Sequence, residues 1–183
     1  MVVPVGVSRR HVHLNKETCI KLFGSDELPV RNELTQVGQF ASTLTVDLEW
    51  KGNIIEGVRV VGPLRAYNQI ELDDDDCYIL KVNPPRRQSG DLEGSLPINL
   101  IGTKDYVELK DGLIKAERHI HLTPETLNKL HLEDKTVVEV FKDDEYIFDV
   151  KVKLSDPGFD ELHIDTCEEK TYDLHQGEEV KFY

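Results

Sequence analysis

The chain has 183 residues, of which 39% are hydrophobic and 31% are charged, a composition typical of a globular protein with one or two small domains. Its formal net charge of −13 disfavours nucleic acid or an anionic membrane surface as the main partner, but leaves room for a local basic pocket. No apolar run approaches the ~18 residues of a membrane helix and the N-terminus lacks the features of a secretory signal, so we expect a cytoplasmic protein.

Taken in chain order, the predicted elements are mostly short strands. Alternation of apolar and polar residues predicts strands at 46–50, 54–60, 77–82, 97–101, 105–109, 136–141, 146–154 and 178–182. Between them, the four adjacent carboxylates of Asp73–Asp76 repel each other, and we expect a solvated turn there. Many short strands without alternating helices indicate β-barrels or a sandwich.

Two segments of the chain repeat each other. Residues 10–22 and 118–130, which lie 108 positions apart, are identical at eight of thirteen positions. Each begins Arg-His-x-His-Leu and continues with a helix N-cap residue, Asn15 or Thr123. Each half of the chain is therefore predicted to contain a strand, a His-x-His pair and a capped helix.

The duplicated histidine pairs predict metal binding. Residues i and i+2 of a strand point to the same face, so His11 and His13 can approach one cation, and His119 and His121 can approach another. Two ligands rarely complete a site. Further along the chain, His163 and Glu71 each lie between apolar neighbours that face the other way, and each could complete one pair.

Arginines near Glu71 predict an anion site. Arg59 and Arg65 flank a Gly-Pro turn, and an arginine beside a dication is favourable only when an anion such as phosphate lies between them. The irregular stretch 83–97, with adjacent Arg86 and Arg87, is either a connector between domains or a substrate loop.

Several ordered strings of the sequence resemble the phosphate propanoyltransferase family, the PduL-type phosphotransacylases, over essentially the whole chain. The strings are Val5–Leu14, Gln36–Ala41, Gly62–Arg65, Asn83–Pro85, Ser89–Ser95, Arg118–Glu125 and Leu162–Thr166. The resemblance implies an acyltransferase that exchanges a short acyl group between coenzyme A and inorganic phosphate. It also implies two zinc ions per subunit as cofactors, with coenzyme A as substrate or product.

The resemblance also implies a role for individual residues. One zinc would be bound by His11, His13 and Glu71, and the other by His119, His121 and His163. Arg65 matches the phosphate-binding arginine. The positions that match coenzyme A contacts are Val7, Ser8, Arg9, Lys51 and Arg59. Two departures are that Lys51 lies one residue further from Arg59 than in the family pattern, and that Lys170 stands where an Asn is common.

The fold implied by the family agrees with the strand pattern: mainly β, two small β-barrels with short helices, related by an internal repeat with exchanged strands. Residues 1–8 plus 117–183 would form one barrel domain and residues 9–116 the other. A homodimer acting on short-chain acyl-CoA and phosphate is expected. Because the first strand begins within the first few residues, we expect no microcompartment-targeting extension.

The mechanism implied by this resemblance is direct attack of phosphate on the thioester, with zinc as Lewis acid and Arg65 holding phosphate. Two other functions remain open at this point. The first is a cupin-like oxygenase or isomerase, because His11 and His13 with Glu17 match the first half of the cupin pattern. The second is a zinc-stabilised binding module, although structural zinc sites favour cysteine-rich ligand sets.

Overall fold

The structure is a computed structural model that describes residues 1–183. Short strands dominate and four short helices accompany them, so the predicted mainly β fold is confirmed. The chain divides into two compact units, which we call the central unit, Arg9–Ala116, and the terminal unit, Met1–Ser8 with Glu117–Tyr183. None of the helices has the length and apolar character needed to cross a membrane.

The elements are numbered in chain order. The strands are β1 (Val2–Ser8), β2 (His11–His13), β3 (Val30–Glu33), β4 (Phe40–Trp50), β5 (Asn53–Gly62), β6 (Gln69–Leu72), β7 (Arg86–Arg87), β8 (Leu96–Ile101), β9 (Tyr106–Ala116), β10 (His119–Leu122), β11 (Val137–Lys142), β12 (Glu145–Leu154), β13 (Glu161–Asp165) and β14 (Glu179–Phe182). The helices are α1 (Lys16–Phe23), α2 (Asp74–Leu80), α3 (Pro124–Leu130) and α4 (Thr166–Tyr172).

Each unit contains a closed barrel of six strands. In the terminal unit the order around the barrel is β1-β13-β10-β12-β11-β14. In the central unit β4-β5-β2-β6-β9-β8 close on themselves, because β8 pairs with both β9 and β4. Closure removes the exposed strand edges that such short strands would otherwise present. The prediction of two small barrels is confirmed.

The strand that precedes each histidine pair belongs to the other unit. β1 leads into β2 along the chain but pairs with β13 and β14 of the terminal unit. In the same way β9 leads into β10 but pairs with β6 and β8 of the central unit. The exchanged arrangement of strands is therefore confirmed.

Each unit also has its own apolar core, formed by the inward-facing residues of its barrel. The central core includes the fully buried Val12, Val60 and Ile70, and the terminal core includes Ile120, Val152 and Leu162. These residues lie between or beside the histidines and face away from them, as the two-residue period of a strand requires. Burying them fixes the register of the strands that present the polar side chains.

Both helices predicted to follow the histidine pairs are present. The Asn15 side chain accepts a hydrogen bond from the Thr18 N–H at 2.8 Å, and the Thr123 hydroxyl caps α3 in the same way. Each cap supplies a partner for a backbone N–H that a helix terminus would leave unpaired. Each cap lies two residues after the second histidine of its pair, just beyond the end of β2 or β10.

Two predictions near Asp73–Asp76 are wrong. The segment 77–82, predicted as a strand, lies largely in α2, and the acidic run begins this helix and is not a solvated turn. Asp73 is the N-cap and accepts from the Asp76 N–H at 2.9 Å, and the acidic first turn suits the helix dipole. Asp76 itself is buried and pairs with Arg10 at 2.5 Å.

Candidate metal centres and active site

The first candidate metal centre, which we call the central triad, consists of His11, His13 and Glu71. β2 and β6 pair antiparallel, which places His11 opposite Glu71 and His13 opposite Gln69. The two histidine Nε2 atoms are 3.1 Å apart, and Glu71 Oε1 lies 3.5 Å from Nε2 of His11 and 4.0 Å from Nε2 of His13. A tetrahedral zinc ion with ligands at about 2.0–2.1 Å would separate them by about 3.3–3.4 Å, so the spacing fits such an ion.

The ring orientations of the central triad also fit a cation. Nδ1 of His11 donates to the Arg9 carbonyl at 2.8 Å, and Nδ1 of His13 donates to the Val61 carbonyl at 3.2 Å. A carbonyl can only accept, so Nδ1 of each ring carries a proton, and a ring with no second proton has a lone pair on Nε2. Two lone pairs 3.1 Å apart repel each other unless a cation lies between them. A hydrogen bond from Nδ1 to a backbone carbonyl is the support usually found behind metal-binding histidines.

The charge states of the central triad suit metal binding. Burial, together with the nearby charges of His11 and Arg65, lowers the pKa of His13 to about 3, so the ring is neutral at physiological pH. Burial alone would raise the pKa of Glu71, but interactions with His11, His13 and Arg65 outweigh it and hold this pKa well below its usual range. A neutral imidazole and an ionised carboxylate are the forms that bind a metal.

The second candidate centre, the terminal triad, consists of His119, His121 and His163. β10 and β13 pair antiparallel, which places His119 opposite His163 and His121 opposite Glu161. Nε2 of His119 and Nε2 of His121 are 3.0 Å apart, and the His163 ring centroid is 4.6 Å from that of His121. All three residues offer a ligand nitrogen within 4.8 Å of the others.

The terminal triad has the same backbone support at its first histidine. Nδ1 of His119 donates to the Glu117 carbonyl at 2.9 Å, which leaves its Nε2 as an acceptor. The buried Nδ1 of His121 has no hydrogen-bond partner. Burial, followed by the charges of His119, His163 and Lys153, lowers the pKa of His121 to about 2 and keeps this ring neutral. The donor set of three imidazoles is one that zinc accepts.

Arg65 lies beside the central triad. Its Nη1 donates to the Ser89 hydroxyl at 2.9 Å and to the Tyr67 hydroxyl at 3.1 Å, and its charge acts on both His13 and Glu71. Both hydrogen bonds use the same nitrogen, so they hold the guanidinium from one side. A fixed planar donor beside a dication is suited to an anion such as phosphate.

The irregular stretch 83–97 reaches the central triad through Ser89. The Ser89 hydroxyl accepts from Gln69 Nε2 at 3.0 Å as well as from Arg65, and the Gly90 N–H donates to Gln69 Oε1 at 2.8 Å. By contrast, Arg86 pairs with Asp74 at 2.6 Å and Arg87 donates to the Glu93 carbonyl at 2.9 Å. The part of this stretch that touches the site is therefore the serine and not the arginine pair.

The five residues matched to coenzyme A are distributed over both units. Val7 and Ser8 end β1 in the terminal unit and are half-buried, whereas Arg9, Lys51 and Arg59 belong to the central unit. Lys51 occupies the turn between β4 and β5, where its Nζ lies 5.5 Å from the centre of the Trp50 ring. Along β5, at about 3.3 Å per residue, that turn is roughly 20 Å from Arg59. Within the central unit, Lys51 and Arg59 are thus not brought together.

Arg59 is part of a group of three arginines in the central unit. Burial, then repulsion from Arg31 and Arg9, lowers the pKa of the Arg59 guanidinium. Its Nε atom is buried without a hydrogen-bond partner. A buried donor without a partner is costly, and an anion would supply one. Arg31 was missed by the sequence analysis because it lies on the separate strand β3, with no motif around it.

The cupin interpretation fails at its carboxylate. Glu17 lies exposed in the first turn of α1, and the carboxylate beside the histidine pair is Glu71. Gln69 and Glu161, which were not predicted from the sequence, lie on the triad faces two residues before Glu71 and His163. The two-residue period of a strand was the signal that could have found both. The remaining histidines, His131 and His175, are exposed.

Comparison with known proteins assigns the chain to a family. Residues 4–175 match the family model for phosphate propanoyltransferase. Three proteins of that name are similar: one from Thermotoga maritima is 40% identical over 96% of this chain and 86% of its own length. One from Lachnoclostridium phytofermentans is 38% identical over 97% and 85%, and one from Citrobacter freundii is 38% identical over 91% and 81%. The chain therefore belongs to the phosphate propanoyltransferase family of acyltransferases.

Proposed function

We propose that this protein exchanges a short acyl group between coenzyme A and inorganic phosphate, with a zinc ion held by each triad. The observation that carries the proposal is the placement of Arg65 beside the central triad. A guanidinium and a metal ion repel each other, so an anion such as phosphate is needed between them. The name of the family and of its curated members supports the same substrates.

The residues that would hold the ions are His11, His13 and Glu71 in the central unit and His119, His121 and His163 in the terminal unit. A zinc ion bound there would act as a Lewis acid that stabilises negative charge on the thioester oxygen and on the departing thiolate. The carbonyls of Arg9, Val61 and Glu117 hold the rings so that their Nε2 lone pairs face inward.

Arg65 is the residue proposed to bind phosphate. With Nη1 held by Ser89 and Tyr67, the guanidinium is preorganised and little side-chain entropy is lost when an anion binds. Its charge would lower the repulsion between the phosphate and the electron-rich thioester and fix the phosphate for direct attack. Gln69, which donates to Glu71 Oε1 at 2.5 Å and to Ser89, links Arg65 to the metal-binding carboxylate.

The arginine group of the central unit is proposed to bind the phosphates of coenzyme A. Arg31 and Arg9 both repel Arg59 in the free protein, and a polyanion would relieve that repulsion. Val7, Ser8 and Lys51 are proposed as further contacts to coenzyme A on the family match alone.

A homodimer and a cytoplasmic location are also proposed, and analytical ultracentrifugation tests the homodimer.

The test is an assay of thiol release from acetyl-CoA and from propanoyl-CoA, with and without phosphate, before and after chelation and zinc restoration. We expect release that requires phosphate, stops on chelation and returns with zinc. Release without phosphate would point to a thioesterase. An active enzyme from which all metal has been removed would contradict the role of zinc, and no turnover with any acyl-CoA would leave only a binding module.

A further inference from the structure

The Ser89 hydroxyl oxygen receives two hydrogen bonds beside the central triad. Nη1 of Arg65 lies 2.9 Å from Ser89 Oγ, and Nε2 of Gln69 lies 3.0 Å from it. A guanidinium has donors and no acceptor, so Arg65 must be the donor of the first bond. The direction of the second bond depends on which way the Gln69 amide faces.

The Gln69 amide is oriented so that it also donates to Ser89. The Gly90 N–H can only donate, and it lies 2.8 Å from Oε1 of Gln69. Nε2 of Gln69 donates to the Glu71 carboxylate at 2.5 Å. Exchanging the amide oxygen and nitrogen would set two acceptors against each other at Glu71 and two donors at Gly90. The orientation of this buried amide is therefore fixed at both ends.

These contacts leave the hydroxyl proton of Ser89 over. A serine hydroxyl has one proton to donate and two lone pairs that accept. Because Arg65 and Gln69 occupy both lone pairs, only the proton remains, and it is donated to no group of the protein. A nucleophilic serine needs a neighbouring base to take its proton, and both neighbours here are donors. Ser89 is thus equipped to donate a hydrogen bond and not to attack a carbonyl.

The guanidinium of Arg65 also has donors to spare. The two N–H groups of Nη1 donate to Ser89 and to Tyr67, whereas Nε and Nη2 donate to no group of the protein. The Arg65 backbone N–H donates to the Leu14 carbonyl at 2.9 Å, which holds Arg65 against the residue that follows His13. Unused guanidinium donors and an unused hydroxyl proton therefore lie side by side at the central triad.

We propose that Ser89 binds phosphate directly, by donating its hydroxyl proton to an oxygen of the phosphate that Arg65 holds; this rests on the proposed phosphate site. The unprotonated oxygens of phosphate only accept, so they match both sets of unused donors. A hydrogen bond to a charged acceptor is also stronger than one between neutral groups. Gln69 is then a positioning residue, because its bond to Ser89 directs the hydroxyl proton away from Glu71.

The test separates direct binding from support of Arg65, by making Ser89→Ala with and without Arg65→Ala in the full-length, zinc-loaded protein. Phosphate affinity is measured by equilibrium dialysis with radiolabelled inorganic phosphate, and kcat/KM for phosphate by the thiol-release assay. Ser89→Ala alone should weaken phosphate binding by about 10–100-fold, the loss expected for a hydrogen bond to a charged group. Zinc content and the KM for acyl-CoA should stay unchanged.

The Arg65→Ala background gives the decisive comparison. Adding Ser89→Ala there should lower kcat/KM for phosphate by a further fivefold or more, roughly, because the bond from Ser89 itself is still lost. Ser89→Thr, which keeps a hydroxyl, should retain most of the phosphate affinity. Ser25→Ala removes an exposed hydroxyl that accepts from the Glu27 N–H, and is the control for loss of a serine hydroxyl.

Two outcomes would overturn the proposal: no effect of Ser89→Ala in the Arg65→Ala background, or unchanged phosphate affinity in Ser89→Ala alone. The first would mean that Ser89 only supports Arg65. The second, with a lowered kcat, would direct the hydroxyl proton to the thioester oxygen. If the unmodified protein binds no phosphate and releases thiol without it, the proposed function itself fails, and this is a separate result.

Discussion

The two triads occupy the same positions in their barrels but differ in what fills them. In each, a His-x-His strand lies between a parallel strand and an antiparallel strand that supplies the third side chain, Glu71 in one unit and His163 in the other. Two residues earlier on the same strand, the carboxylate is in the other unit: the central unit has Gln69 there and the terminal unit has Glu161. The repeat has kept the backbone and changed two side chains in each unit.

The support around the triads is repeated as well. Arg10 pairs with buried Asp76 at 2.5 Å, and Arg118 pairs with buried Glu168 at 2.9 Å. The nearby cations differ: Arg65 acts on the central triad and Lys153 on His121 of the terminal triad. Only the central triad has an arginine fixed beside it, so the proposed phosphate site lies in the central unit. We therefore expect the two units to respond differently to mutation.

The largest effect is expected from breaking either triad. His13→Ala and His121→Ala should each remove about one zinc equivalent, and activity should fall by roughly 1,000-fold or more, since a Lewis acid contributes several kcal/mol and each 1.36 kcal/mol is tenfold in rate. Elemental analysis and the thiol-release assay provide the two measurements. Full zinc content in either variant would exclude that histidine as a ligand.

Arg65→Ala should have the next largest effect. We expect kcat/KM for phosphate to fall by about 100–1,000-fold, the usual result of removing a fixed donor to developing charge, while zinc content stays unchanged. Arg65→Lys should recover little of this, because lysine cannot form the bidentate contact. Lys21→Ala, which removes an exposed charge on α1, is the control. Unchanged phosphate kinetics in Arg65→Ala would remove Arg65 from the phosphate site.

The repeated arginine pairs predict a smaller, pH-dependent effect on stability. Arg10→Met should lower the free energy of unfolding by about 2 kcal/mol and Arg118→Met by about 3 kcal/mol. Breaking a fully buried ion pair costs about 3–5 kcal/mol, and the values here are lower because both arginines are partly exposed. Arg118 has the larger value because its guanidinium also lies 4.4 Å from the centre of the Phe148 ring.

The sign of the pH dependence follows from the carboxyl partners. Burial raises the pKa of Asp76 and of Glu168, and the paired arginine opposes this, so removing the arginine raises each pKa further. A carboxyl whose pKa is higher in the folded than in the unfolded protein loses stability as pH rises through that value. Urea unfolding of the metal-free variants should therefore show a larger loss at pH 8 than at pH 5. A loss independent of pH would mean that packing, not charge, is what the arginine contributes.

The barrels and the candidate ligands were open to prediction because they depend on a two-residue period. Val12 between His11 and His13, and Leu162 beside His163, are apolar residues whose burial turns the ligands to the opposite face. The segment 77–82 was predicted wrongly because Cys77, Tyr78 and Ile79 suit a strand, whereas the N-cap at Asp73 starts a helix. Ser89 acquires its role only through a loop contact with Arg65 and Gln69, which local sequence does not encode.

The smallest effect is expected at the helix caps that follow the two histidine pairs, where the comparison can be made between different capping residues. The Asn15 side chain accepts from the Thr18 N–H at 2.8 Å, whereas the Thr123 hydroxyl accepts from the Thr126 N–H at 3.3 Å. Since the shorter bond is the stronger, Asn15→Ala should cost about 1 kcal/mol and Thr123→Ala about 0.5 kcal/mol. Urea unfolding measures both, with Thr43→Ala, which removes an exposed hydroxyl on β4, as the control. If Thr123→Ala proved the more costly, the bond from the Thr123 hydroxyl to Thr126, a residue that itself donates to Asp160 at 2.6 Å, would account for it, and the cap of α3 would be a network and not a single bond.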